Sequence, residues 1–183
     1  MNGLKKWFQG QLTAAGGGIG GGALMAHTTL TAQKKELGPD GLYHDTDERR
    51  VVHDKVVTDV FCEDIVDNLI AEVSAFGDYK YHHSGTGVGA EAAADTALGT
   101  PELDARTVGT QAEDGSKVYQ SVATETFDGI AAITEHGLFN TAGAGGPPVT
   151  GGILMDRTLF AAINVVNTNQ IEWTFTISFT SGG

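Results

Sequence analysis

The residues with the widest chemical range are six histidines, His27, His44, His53, His82, His83 and His136, and the adjacent pair Glu135-His136. An imidazole can ligate a metal or carry a proton, so spacing decides what these groups can do. His82 and His83 fall in Tyr79-Lys-Tyr-His-His-Ser84, which reads as a strand, so they point to opposite faces and only one can serve a given site. Glu135 and His136 diverge for the same reason. A zinc cage would need a second His at strand spacing or a nearby Cys, and the sequence supplies neither. No G-x-S-x-G or similar nucleophile signature occurs. The expectation is a set of structural histidines in a chain without catalytic residues, metal or cofactor.

Three other patterns invite chemistry and are weakened by their surroundings. Gly85-Thr-Gly-Val-Gly-Ala90 matches the dinucleotide fingerprint, with Asp104 downstream, but the strand before it is polar and antiparallel patterning follows it. Asp45, Asp47 and Glu48 could ligate calcium, yet the EF-hand spacing and its central glycine are missing, so a solvated charged loop is expected. The run Gly16-Gly-Gly-Ile-Gly-Gly-Gly22 lacks the Gly-Lys-Ser/Thr of a phosphate-binding loop.

The element that must organise the body is Ile171-Glu-Trp-Thr-Phe-Thr-Ile-Ser-Phe-Thr180. Ile171, Trp173, Phe175, Ile177 and Phe179 alternate with polar residues, a period of two that only a half-buried strand satisfies. Each such side chain contributes about 1.5–3 kcal/mol on burial. Further strands are expected in 105–127 around the turn Glu113-Asp-Gly-Ser116, with Val118, Tyr119, Val122, Ala123 and Phe127 on the sheet face or in the core. Others are expected over 130–139 and 153–166, the last with Leu159, Ala161, Ile163 and Val165 inward. From Val56 to Ala75 the period becomes helical: Val57, Phe61, Ile65, Leu69 and Val73 share one face, acids occupy the other, and Phe76-Gly77 ends the helix. One or two helical turns are expected over Ala92 to Leu98. Cys62, the one cysteine, excludes an intramolecular disulfide and reads as a buried thiol.

These elements imply a mainly β fold, an antiparallel sandwich or jelly-roll-like body with one amphipathic helix and an extended N-terminal arm. The arm is assigned to residues 1–40 and the body to 41–183. Leu4, Trp7, Phe8 and Leu12 lie on one face of a short helix, which would be marginal alone and needs a surface to lie on. The glycine run loses more backbone entropy on ordering than any other sequence, so a partner surface is expected to hold it. Leu4, Trp7, Phe8, Leu12, Ile19 and Leu24 are therefore the candidate partner-binding residues. Residues 1–35 carry a formal +4 and the rest −16, and an acidic body repels nucleic acid. No run of 18 apolar residues is present, so no membrane contact is expected.

The order of elements over residues 51–180 is similar to a module of tailed-bacteriophage virion proteins. The resemblance is carried by the helix over Lys55 to Ala75, Ser84-Gly-Thr-Gly87, Ala94-Asp-Thr-Ala-Leu98, Ala132-Ile-Thr-Glu-His-Gly-Leu-Phe139 and Gly152-Ile-Leu-Met-Asp-Arg-Thr-Leu-Phe-Ala-Ala-Ile163. Ile-Thr-Glu-x-Gly-Leu-Phe before a glycine loop and a Leu-x-x-Arg strand resembles the attachment domains that open some phage tail fibres. No shaft, coiled coil or receptor-binding tip follows, and a small body with a clamping arm resembles a capsid cement or decoration protein. The resemblance implies a structural role on the particle surface after assembly in the host cytoplasm, with the major capsid protein or tail or neck subunits as partners and a homo-oligomer as the assembly. A tail, neck or baseplate collar is the second expectation. A carbohydrate-binding sandwich using Tyr79, Tyr81 or Trp173 is the third.

Overall fold

The computed structural model describes residues 24–71 and 78–181. The chain runs β1 (Leu24–Leu37), β2 (Tyr43–His53), β3 (Val56–Val57), α1 (Asp59–Ala71), β4 (Tyr81–Gly85), β5 (Thr107–Val108), β6 (Thr110–Glu113), β7 (Val118–Thr126), β8 (Ala131–Phe139), β9 (Leu154–Val165) and β10 (Gln170–Ser181). Sheet A has the order β2-β1-β10-β7-β6 and sheet B the order β3-β9-β8-β4-β5. The two antiparallel sheets face each other as a sandwich, with α1 against β9.

β10 is the centre of sheet A, as its alternation requires. Ile171, Trp173, Phe175 and Ile177 are buried and meet Leu30 of β1 and Ile133, Leu138 and Ile163 of sheet B. On one side β10 pairs β1 from Leu24↔Ser181 to Lys35↔Gln170, and on the other it pairs β7. β1 in turn pairs β2. Residues 24–37, read from the sequence as part of the arm, are thus an interior strand of the body. Glycine content upstream and two lysines concealed a strand whose inward positions are Thr28, Leu30 and Ala32.

The charged run His44 to Arg50 is also strand and not a loop. Its charges are complementary to the neighbouring strand: Lys35 lies in register with Asp45, with Nζ 3.7 Å from Oδ1, and Lys34 reaches Glu48 at 3.3 Å. Opposite charges across a ladder stabilise a pairing that hydrophobicity alone would not specify. The same strand also closes one side of the sandwich. β3 covers β9 only at Asp156 and Arg157, and farther along β9 side chains replace the missing strand. Arg50 donates to the Ala161 and Ala162 carbonyls at 2.9 and 2.8 Å, and the Asn164 amide donates to Glu48. An otherwise open edge is satisfied by charge.

α1 begins later than its periodicity suggests because Val56 and Val57 pair β9 first. Thr58 ends that pairing and caps the helix, its hydroxyl accepting from the Phe61 amide while donating to the Leu154 carbonyl. Asp59 in the first turn suits the positive end of the helix dipole. Phe61 is buried and Ile65 half-buried, but Leu69 is 80% exposed, so among the described residues of the expected apolar face packing stops short of Leu69. Cys62 is half-buried, not buried. Val73 and the Phe76-Gly77 stop lie outside the described residues, as do Leu4, Trp7, Phe8, Leu12, Ile19 and the glycine run. Residues 92–98 form turns without a helix.

Candidate functional site

Alternation along β4 and β8 sends neighbouring polar residues to opposite faces of sheet B and creates two separate buried clusters. On the outer face, Glu135 of β8 meets Arg157 of β9, whose Nη2 lies 2.8 Å from Oε2. The same carboxylate accepts backbone amides from Gly87 at 3.1 Å, Gly99 at 3.0 Å and Thr100 at 2.7 Å. Arg157 also reaches Asp95 at 2.8 Å and the Gly89 and Ala90 carbonyls. Burial opposes the charge on both groups, but the paired hydrogen bonds prevail: Asp95 sits below the usual carboxylate range and Arg157 above its ordinary value.

This arrangement explains Gly85 and Gly87 of the glycine hexapeptide, where an added Cβ would meet Glu135, whereas Gly89 faces open space. One amide of the hexapeptide, that of Gly87, joins those of Gly99 and Thr100 in cradling an anion, and the anion is the chain's own Glu135. A side chain at Gly87 would collide with that carboxylate, so close approach, not dinucleotide binding, accounts for the glycine. Leu98, Phe139 and Leu154 form a small apolar cluster alongside. Below it Arg106 lies over Phe139, its Cζ 3.5 Å from the ring centroid, and donates to the Thr141 and Gly151 carbonyls, drawing in the glycine-rich 140–152 loop. Burial lowers the Arg106 guanidinium to about 10, which leaves it charged at neutral pH.

The second cluster lies between the sheets. His82 Nε2 is 2.8 Å from Ser121 Oγ of β7, and His82 Nδ1 is 3.0 Å from His136 Nε2. The His136 ring covers Trp173 at a centroid distance of 4.6 Å. Trp173 Nε1 and Ser84 Oγ both donate to Glu125 of β7, at 2.8 and 2.7 Å. Ser84, Ser121, His82 and His136 have no solvent exposure and Glu125 has 3%. Desolvation drives the imidazoles towards neutrality, His82 down to about 3 and His136 well below its ordinary value, and raises Glu125 to about 7. Gly109 makes room for the chain, since a Cβ there would sit 2.8 Å from His82 Nε2.

A serine hydroxyl on an imidazole held by a second group is the geometry of an activated nucleophile. Here the second group is another neutral imidazole and both sheets seal the set from solvent. His83, on the opposite face, is also buried and donates to the Glu102 carbonyl. The remaining expected ligands are dispersed: His27 meets Asp54, His44 meets Asp40 and His53 meets Thr29, all at the surface. Among the described residues no three His, Cys, Asp or Glu groups are placed to hold a metal ion. Of the three aromatic residues considered for a sugar, Trp173 is 0% and Tyr79 2% exposed, while Tyr81 is half-buried.

Sequence reasoning missed Ser121 and Glu125. The signal was present in Ser121-Val-Ala-Thr-Glu-Thr-Phe127, where the inward positions of β7 are Ser121, Ala123 and Glu125, with Phe127 buried just past its end. Hydrophobicity instead drew attention to Val122, which lies on the other face. Asp156, also buried, accepts from Thr158 at 2.6 Å and is raised to about 7 by burial.

The fold and both clusters define the chain as a two-sheet antiparallel β-sandwich with an internally compensated ionic clasp. Comparison with protein-family models, curated proteins and solved structures gives no match in any of the three.

Proposed function

We propose that this chain is a non-enzymatic structural protein of a tailed-bacteriophage virion, a capsid cement or decoration protein that clamps neighbouring shell subunits through its N-terminal arm. The observation that carries the proposal is the root of that arm. Residues 1–23 lead directly into β1, which is held between β10 over twelve register pairs and β2 over eight. Tension on the arm would load both ladders in shear, with many hydrogen bonds resisting together. That suits a fastener better than a flexible appendage. Leu4, Trp7, Phe8, Leu12 and Ile19 are the proposed anchors, a few apolar groups of the kind that dominate interfaces. Leu24, whose backbone pairs Ser181, would be the anchor nearest the body.

Two further facts support a structural role. The potentially reactive serine and histidines are sealed in the core, and the residues that carry the phage resemblance, Gly87, Asp95, Leu98, Glu135, Phe139, Leu154 and Arg157, converge on the outer clasp and its apolar neighbour. Because that convergence includes the fibre-attachment phrase, a tail, neck or baseplate collar is the second reading.

Quantitative mass spectrometry of purified tailed-phage particles from the source of this gene tests both. Hundreds of copies per particle support the shell, a few to a dozen support the tail or neck, and absence overturns the virion assignment. Deleting residues 1–22 preserves every β1 pair, so the body should unfold at the wild-type temperature while incorporation is lost. Full incorporation of that truncation would remove the arm from the mechanism.

A further inference from the structure

We propose that the buried His82–His136 pair is an acid-sensitive latch between the sheets: a proton added to the pair ends at His136 Nδ1, where no acceptor waits, and sheets A and B part to hydrate it. The inference is independent of the virion reading and follows from counting ring nitrogens. Three of the four face a partner, His82 Nε2 on Ser121 Oγ and the two nitrogens of the His82–His136 contact, whereas His136 Nδ1 is buried without one.

A neutral pair carries two N–H protons. One occupies the contact between the rings, which has room for only one. The other can face Ser121 or sit on His136 Nδ1, and only the first position is satisfied. The neutral ground state is therefore His136 Nε2–H donating to His82 Nδ1, and His82 Nε2–H donating to Ser121. His136 Nδ1 is left as a bare lone pair, a smaller loss than a buried N–H without an acceptor. A third proton must fill both outer positions, so it places N–H at His136 Nδ1 whichever ring receives it first.

The surroundings offer no relief. His83 on β4 is a further imidazole whose charge would oppose that of His136. Trp173 of β10 covers His136 with a ring face and commits its N–H to Glu125. Glu125 of β7, the carboxylate in the same layer, takes up its proton near pH 7 and so provides no countercharge in acid. The segment over residues 102–106 contributes Glu102 and Asp104, both raised by burial, and the Arg106 cation, which acts against a charge on His83. Glu135 of β8 faces the other way and is engaged by Arg157. The histidines' folded values lie below the ordinary 6.5, so their contribution to closure is full above that pH and is lost as pH falls.

Nitrogen-15 NMR of the imidazoles in the full chain, with amide hydrogen exchange of β4, β7, β8 and β10, tests the latch between pH 8 and 3. The expected result is a neutral His136 with an unprotonated Nδ1 until exchange in those strands rises cooperatively, protonation and opening occurring together. A His136 that titrates near the ordinary value of about 6.5 inside a sandwich still protected from exchange overturns the proposal. His136→Gln adds a second check, because a glutamine carbonyl would accept from His82 Nδ1–H and let both N–H groups of a protonated His82 be satisfied. Opening in that variant should move down by at least about one pH unit. An unchanged midpoint in a folded variant overturns the latch, and if the variant does not fold, the wild-type spectra decide.

Discussion

Glu135 and His136 are consecutive residues of one strand, yet sheet B treats them in opposite ways. Outward, Glu135 keeps company with a full guanidinium and three backbone amides, so charge is buried and compensated. Inward, His136 joins His82, Ser121 and Glu125 in a layer where burial pushes every titratable group towards its neutral form. What separates them is access to backbone donors. The outer face is covered by loops over residues 86–100, whose amides are not committed to a ladder and can turn towards an anion. The inner face is covered by a second sheet, whose amides are already paired. A carboxylate on the loop side is met by backbone donors, while one on the sheet side must be satisfied by side chains alone.

The largest expected effect comes from breaking the compensated cluster from one side. Arg157→Leu leaves Glu135 buried without its cation and Asp95 without its partner, and removal of one member of such a pair costs about 3–5 kcal/mol. Urea denaturation should show that loss as a lower midpoint with little change in slope. If Arg157→Leu is nearly neutral, the outer cluster is no more demanding than the inner one and the contrast fails.

Next comes pH, where the inner layer has a signature of two signs. Glu125 and Asp156 have folded values raised to about 7, so the native state binds more protons than the unfolded chain between their ordinary values and pH 7. Their burial therefore disfavours folding in full above pH 7, and that penalty shrinks steadily as pH falls from 7 towards their ordinary values. The histidines work the other way: the unfolded chain takes up protons below 6.5 while His82, held to about 3, does not. Stability should peak near pH 6.5, decline modestly into mild acid, and fall steeply once the unfolded carboxylates also protonate, each group contributing a slope of up to about 1.4 kcal/mol per pH unit. Thermal unfolding across pH 4–9 measures this. Glu125→Gln should reduce the decline between about pH 6.5 and 7.5, where the native carboxyl gives up its proton, and a wild-type curve flat across that interval would mean that Glu125 is not held towards its neutral form.

Smaller still is the effect of perturbing the cradle and leaving its charges in place. Gly87→Ala puts a methyl against the Glu135 carboxylate and forces the loop outward, at a cost of about 1–3 kcal/mol by analogy with other overpacked sites. Hydrogen exchange at Gly99 and Thr100 should accelerate with it, since both amides donate to the same group. Loss of stability without faster exchange at those two amides would mean that the cradle does not act as a unit.

How far the sequence carries follows from the same contrast. The strand alternation from Ile171 to Phe179 announces the core because its physics is local: every second residue is large and apolar, and only one backbone shape puts them together. The outer clasp is half legible. The Gly85 to Ala90 pattern does mark where one amide, that of Gly87, meets an anion, but that the anion is Glu135, 48 residues along the chain, and that Gly99 and Thr100 join it depend on strand pairing that no local window contains. β1 and β2 are least legible, because their pairing rests on Lys34 and Lys35 meeting Glu48 and Asp45 across a ladder, and charge reads as solvated surface when met one segment at a time. Ser121 and Glu125 were hidden by the habit of assigning inward positions to hydrophobic residues.

Those lysines provide the last and smallest test. Lys35 Nζ lies 2.8 Å from Glu172 Oε2, the same separation as Arg157 Nη2 from Glu135 Oε2. Distance alone would rank the two pairs as equals. Glu172 has 37% of its side chain exposed and Glu135 has none, so water already solvates the first carboxylate well and the ion pair adds little to what water provides. Glu172→Gln should therefore cost no more than about 0.2–1 kcal/mol, against several for the loss of Arg157, and 1 M salt should erase the difference from wild type. A salt-resistant loss comparable to that of Arg157→Leu would show that cross-strand geometry, and not the coverage supplied by the loops, sets the strength of these pairs.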